Sequence, residues 1–161
     1  MEVIKMGYTV YWNRPKKIEK DIMEKVGQHF KKLLKKDVFY NEYGIEIGNG
    51  TGQGEPVIED DIIVFNGKPG CESFAFYQDI SEKSFVQEIE PGKYFSFCKT
   101  RRLPYDLVVK TVLLIFKYYM KDDLELSCDG PNENNTSKAL DIVEKELSLK
   151  LPKTTTKQIT Q

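Results

Sequence analysis

The sequence predicts an α+β fold in which a single mixed, largely antiparallel sheet carries about three helices. Two kinds of pattern predict it. Short segments in which bulky and β-branched residues alternate, separated by turn residues, are typical of strands. Longer segments with an apolar residue at every third or fourth position are typical of helices. In chain order these segments give the arrangement β-α-β-β-β-β-α-β-α.

The first strand is predicted over residues 7–12, Gly-Tyr-Thr-Val-Tyr-Trp. Asn13-Arg-Pro15 is predicted to end that strand and to begin a helix, with Asn13 as its cap. Apolar residues then recur at helical spacing, which extends the helix to about Lys36. Four lysines lie near its end: Lys31, Lys32, Lys35 and Lys36. They suit the negative end of the helix dipole, and the alternative role for them is a contact with nucleic acid.

The middle of the chain predicts short strands and turns. Residues 43–47 are compatible with a short strand, and a glycine-rich loop follows at 48–54. A clear strand is predicted at 62–65. Asn66-Gly67 is the strongest tight-turn signal in the chain and leads to a strand at 73–77.

The second half predicts two helices with different surroundings. A strand is predicted at 94–98 and is followed by a helix over 104–120 that is apolar on nearly every side. Such a helix is expected to be buried against the sheet on one face and covered on the other. A strand at 124–128 and an amphipathic helix at 136–149 follow.

Composition favours one folded domain. The chain has 161 residues, of which 40% are hydrophobic and 30% charged, and this excludes wholesale disorder. The start of the chain lacks the basic and apolar segments of a signal peptide, and no apolar run reaches the roughly 20 residues that span a bilayer. We therefore expect a soluble, cytoplasmic protein without a membrane partner. One domain is expected over 1–151, with a flexible tail over 152–161.

Charge and metal-ligand patterns exclude several classes of function. With 24 basic and 25 acidic residues, the net charge is −1, so only a local patch could bind nucleic acid. The three cysteines form no C-x-x-C pair and accompany a single histidine, His29, so neither a metal nor a cofactor is expected. The glycines of 48–54 match neither a phosphate loop nor a dinucleotide motif. A flexible loop is expected there, and a flap lining a substrate is the alternative.

One segment concentrates polar and basic side chains between a strand and the apolar helix. Residues 99–106 read Lys-Thr-Arg-Arg-Leu-Pro-Tyr-Asp. Free backbone amides at a helix start, the positive end of the helix dipole and flexible cations together suit a phosphate or a carboxylate. Alternatively, an Arg–Asp pair and a threonine hydroxyl only cap the junction. Asp129, at the end of a later strand, lies nearby if the two strands are neighbours.

Five segments of the chain resemble, in the same order, a family of small proteins that open with MGYTxYW and occur in phages, bacteria, large DNA viruses and fungi. The segments are 6–12, 65–67, 72–74, 97–106 and 127–130. The resemblance covers roughly residues 6–150. It implies a single domain and points to these segments, without naming a reaction.

We therefore expect a binding domain for an anionic, phosphate-bearing ligand, either a nucleotide or a short nucleic acid. The cations and Thr100 would hold the phosphate, the aromatic side chains would stack on a base, and Asn66 and Asp129 would read polar edges. The residues expected at the ligand are Tyr8, Trp12, Asn66, Lys99, Thr100, Arg101, Arg102, Tyr105, Asp106 and Asp129.

Two alternatives remain open at this stage. One is a phosphoesterase-like enzyme in which Lys99 and Arg102 stabilise charge while Asp129 or Asp106 acts as the base. The other is a protein-interaction module of mobile-element or viral type, whose mark would be an exposed apolar patch.

Overall fold

The computed structural model describes residues 7–130, 133–152 and 155. These residues form eight strands and four α-helices, and a 3-10 helix, Lys121–Asp123, follows the third α-helix. Their bounds are Thr9–Arg14 (β1), Lys20–Lys35 (α1), Val38–Tyr43 (α2), Ile47–Gly48 (β2), Val57–Ile58 (β3), Ile62–Gly67 (β4), Phe74–Tyr77 (β5), Gln87–Glu90 (β6), Lys93–Lys99 (β7), Asp106–Met120 (α3), Glu125–Cys128 (β8) and Glu133–Leu147 (α4).

The predicted α+β class is confirmed, but the strands form two antiparallel sheets rather than one. The first sheet has the order β6-β7-β1-β8. In the second sheet β4 pairs with β5 along one edge and with β2 and β3 along the other. Because both edges of β4 are occupied by strands close to it in sequence, the second sheet cannot extend through β4 into the first.

Helix α3 lies in the centre of the core, as its apolar sequence predicts. Thirteen of its fifteen residues are buried. The Phe116 ring on α3 stacks on Phe76 of the second sheet, with centroids 3.8 Å apart. The indole of Trp12 on β1 packs against Phe74 and Phe76. Aromatic contacts thus join the first sheet, the second sheet and α3. No helix among the described residues is both long enough and apolar enough to cross a membrane.

The predicted helix start at Asn13-Arg-Pro15 is wrong. Strand β1 continues through Arg14, whose side chain is only 2% exposed. Its guanidinium donates to the carbonyl groups of Tyr77 and Gln78, which joins β1 to the end of β5, and burial lowers the pKa of Arg14 to about 10. Helix α1 therefore begins only at Lys20.

Two local predictions in the middle of the chain are also wrong. Of the strand expected at 43–47, only Ile47 lies in a strand. Tyr43 is the last residue of α2, and Gly44 ends that helix in the left-handed conformation. Asn66 and Gly67 lie inside β4 and pair with β2 instead of forming a turn. The chain reverses over residues 68–73. The predicted tail, 152–161, lies largely outside the described residues.

Candidate functional site

The segment between β7 and α3 exposes three cations, Lys99, Arg101 and Arg102, which we call the cationic turn. Arg101 and Arg102 both adopt the left-handed conformation, with φ of 56° and 59°. The amides of Thr100 and Arg101 both donate to the carbonyl of Tyr8, each at 3.0 Å. Within the described part of the chain, none of the three cations is ion-paired with a carboxylate.

A buried polar network supports the cationic turn from below. The Thr100 hydroxyl donates to Asp106 Oδ1 at 2.6 Å. The other oxygen of Asp106, Oδ2, lies 3.1 Å from Lys110 Nζ and accepts a hydrogen bond of 2.9 Å from Asn135. Lys110 in turn donates to the Tyr8 hydroxyl at 2.8 Å. Because Asp106, Lys110 and Thr100 are almost completely buried, this network fixes the turn to α3 and to Tyr8, the residue that precedes β1.

Two of the three cations are also positioned by direct contacts. The Arg102 guanidinium lies over the Tyr8 ring, 4.2 Å from its centroid. A methyl group added to Gly130 would be 3.7 Å from Arg102 Nη2, so the end of β8 is adjacent. The Lys99 side chain runs across Gly7, and its backbone amide donates to the Glu72 carboxylate at 2.7 Å.

The backbone amides at the start of α3 are used within the protein. The Asp106 amide donates to the Leu103 carbonyl at 2.9 Å, and the Leu107 amide donates to the Pro104 carbonyl at 3.2 Å. The prediction that free amides at this helix start would help to bind a phosphate is wrong for these two amides. The Asp106 carboxylate, which is negatively charged, also lies at this end of the helix. The side chains of the cationic turn remain the exposed donors.

The aromatic residues expected to stack on a ligand lie in the core. Tyr8 and Trp12 are each 2% exposed, and Tyr105 is fully buried. The Tyr105 hydroxyl donates to the Glu72 carbonyl at 2.6 Å, and burial raises the pKa of Tyr105. These rings therefore cannot stack on a base, because they already pack against α3 and the second sheet. Tyr8 acts instead as a support for Arg102.

Asn66 is not part of the cationic turn's surroundings, whereas Asp129 lies close to the turn. The Asn66 side chain is buried and donates to the carbonyl groups of Gly50 and Cys71, so it holds loops together. Asp129 sits at the end of β8 next to the turn. Its carboxylate accepts hydrogen bonds from the Tyr11 hydroxyl at 2.7 Å and from the Thr9 amide at 3.2 Å.

Three aromatic residues on the outer face of the first sheet are not among those predicted from the sequence: Tyr11, Phe95 and Phe97. The alternation along β7 places Phe95, Phe97 and Lys99 on the same side, which could have indicated them. The sequence does not reveal that this side is the exposed one, and Phe97 is 53% exposed.

Groups suited to metal or acid–base chemistry are sparse among the described residues. No cluster of three or more His, Cys, Asp and Glu residues there could hold a metal ion. Cys98 is buried and its pKa is raised by desolvation, which leaves it a protonated thiol. Asp106, one of the two carboxylates considered as a base, is enclosed with Lys110.

No protein-family model, curated protein or solved structure matches this chain. The site itself is therefore the basis for a functional assignment.

Proposed function

We propose that this protein binds an anionic, phosphate-bearing ligand, a nucleotide or a short nucleic acid, through Lys99, Arg101 and Arg102. The observation that carries the proposal is the exposure of these three cations on one turn, without an ion-paired carboxylate among the described residues. Arginine and lysine side chains donate charge-assisted hydrogen bonds to phosphate oxygens, and arginine can do so with two parallel bonds.

The buried polar network makes this turn a better binding site than a group of flexible surface cations. Flexible side chains and loops lose conformational freedom when they bind, and this loss reduces affinity. Here Thr100 and Asp106 tie the backbone to α3, and the Tyr8 ring supports the Arg102 guanidinium. The turn is therefore organised before the ligand arrives.

The test measures binding of a fluorescein-labelled thymidine octanucleotide, dT8, by anisotropy at several salt concentrations. Each phosphate contact on a single strand contributes about −0.7 to the slope of log K against log salt, so three contacts predict about −2. The double variant Arg101→Gln/Arg102→Gln is expected to bind more weakly and to reduce the slope to about −0.7. Adenosine triphosphate as a competitor tests whether a free nucleotide uses the same cations.

The matched control removes two other exposed cations. Lys31→Gln/Lys32→Gln changes the net charge by the same amount on the surface of α1, away from the turn. We expect it to bind dT8 nearly as the wild type does. Equal losses in the two double variants would indicate nonspecific attraction and would refute a site at the cationic turn.

A further inference from the structure

The outer face of the first sheet carries aromatic side chains on its two central strands. Along β1 the side chains of Val10 and Trp12 face the core, so Tyr11 between them faces outward. Tyr11 lies directly opposite Phe97 on β7, and Phe95 shares that face. Phe97 is 53% exposed, although burying it would be favourable.

These three rings form one continuous surface, which we call the aromatic platform. The rings of Tyr11 and Phe95 are stacked, with centroids 5.6 Å apart and an interplanar angle of 27°. Those of Phe95 and Phe97 are 5.9 Å apart. The Tyr11 hydroxyl donates to Asp129 at 2.7 Å, which fixes the orientation of its ring. The platform is therefore preformed on rigid strands.

Charge is distributed unequally along this face. At one end of β7, Lys93 lies 3.5 Å from Glu90 and 3.3 Å from Glu125, so its charge is compensated. At the other end Lys99 follows Phe97 on the same face and leads into Arg101, and neither is ion-paired with a described carboxylate. The Asp129 carboxylate, which follows β8, accepts hydrogen bonds from Tyr11 and Thr9. A complementary ligand places flat apolar groups on Phe97 and Tyr11 and its negative charges at Lys99 and Arg101.

We propose that the aromatic platform and the cationic turn together bind single-stranded nucleic acid, with bases stacked on Phe97 and Tyr11 and phosphates held by Lys99, Arg101 and Arg102. This inference rests on the proposed function and specifies its ligand. A single strand is required because the bases of a duplex are already stacked on one another. Some nucleic-acid-binding domains stack bases on aromatic residues of an exposed sheet face. Because every base offers a ring face, sequence preference is expected to be weak.

Substituting Phe97 tests the platform without touching the cations. Phe97→Ala is expected to weaken binding of dT8 about tenfold or more, because stacking on one aromatic residue makes a large contribution to affinity. Its salt slope should stay at the wild-type value. The matched control is Tyr40→Ala, which removes another ring that is also 53% exposed and lies on α2. The control is expected to bind dT8 within about twofold of the wild type.

A tryptophan at the same position gives a direct readout of stacking. Phe97→Trp is expected to retain binding, and addition of dT8 should quench its fluorescence. The natural tryptophan, Trp12, is 2% exposed and supplies a constant background. Unchanged fluorescence at saturating dT8 would contradict stacking at this position.

The ligand is varied in parallel, using an abasic strand with the same number of phosphates. The abasic strand is expected to bind the wild type at least as weakly as dT8 binds Phe97→Ala, because it also loses stacking on Tyr11. Equal affinity of the wild type for both strands would overturn the proposal that bases stack on the aromatic platform. Equal affinity of the wild type and Phe97→Ala for dT8 would overturn it as well. In that case sensitivity to Arg101→Gln/Arg102→Gln would still support the anion site alone. Failure of both strands to bind would remove both proposals.

Discussion

Asp106 was expected at a ligand, and its surroundings give it a structural role. Its carboxylate is fully buried and is shared by Thr100, Lys110 and Asn135. Residue type alone could not distinguish the two roles, because an aspartate in the first turn of a helix suits a cap, an arginine or a ligand equally well. The distinction depends on Lys110, one turn later in a helix that is buried on every side.

Removing this carboxylate is expected to destabilise the fold strongly. Asp106→Ala leaves the Lys110 ammonium buried without its charge partner, and breaking a buried pair in this way costs about 3–5 kcal/mol. Urea unfolding of the variant and the wild type measures the loss. Asp21→Ala is the control, because its pair with Lys25 is exposed and is worth less than about 1 kcal/mol. A loss for Asp106→Ala as small as for the control would contradict the buried network.

His29 is expected to make stability depend on pH below about pH 6.5. Its pKa is lowered, first by burial and then by Lys32, and its Nε2 lies 2.6 Å from the Tyr119 hydroxyl. The unfolded chain therefore binds this proton more readily than the folded one. Neutral His29 therefore makes its full contribution to the free energy of unfolding above the ordinary pKa of 6.5. This contribution is lost as the pH falls through the lower pKa of the folded state.

Since His29 is the single histidine, its ring resonances can be followed by NMR without ambiguity. Urea unfolding at pH 7.5 and 5.5 should show lower stability at the acidic pH, and His29→Gln should reduce that difference. A titration midpoint of the His29 ring at or above pH 6.5 would rule out His29 as the origin of this pH dependence.

At the scale of elements, hydrophobic spacing predicted the long segments well. The end of α1, the strands β4, β5, β7 and β8, and the burial of α3 agree with their patterns. Strands β3 and β6 were missed. The first has only two residues, and the second reads Gln-Glu-Ile-Glu with an exposed residue at every position, so neither has an apolar pattern to detect.

The Asn66-Gly67 pair shows how tertiary contacts override a local turn signal. Asn66 uses its side chain to bind the carbonyl of Cys71 and the amide of Gly67, which organises the loop that follows β4. Gly67 is required because the Tyr105 ring packs on it, so a β-carbon there would lie 2.7 Å from that ring.

Gly67→Ala is therefore expected to destabilise the protein by about 2 kcal/mol or more, since the added carbon would also collide with the Pro69 carbonyl oxygen. The comparison is Gly44→Ala, where no neighbouring atom lies within 4 Å and only the left-handed φ of 67° is unfavourable. That variant should lose about 1 kcal/mol. Thermal or urea unfolding measures both. A smaller loss at Gly67 than at Gly44 would be inconsistent with the close contact to Tyr105.

At the scale of the whole molecule, the site is assembled from three distant parts of the chain. Strand β1 pairs with both β7 and β8, which brings Tyr11 beside Phe97 and Asp129 beside Thr9. The sequence predicted the strands but not their pairing, so the number of sheets and the exposed face could not be derived from it. It did locate the cationic turn, because Lys99, Arg101 and Arg102 are adjacent in the chain.

The most direct test of a ligand surface formed by the cationic turn and the aromatic platform is a two-dimensional amide NMR titration with dT8. The largest shift changes are predicted at residues 99–102 and along β1 and β7 near Tyr11 and Phe97. Amides of α1 near Lys31 should be nearly unaffected. Changes centred on α1, or spread evenly over the surface, would contradict the account.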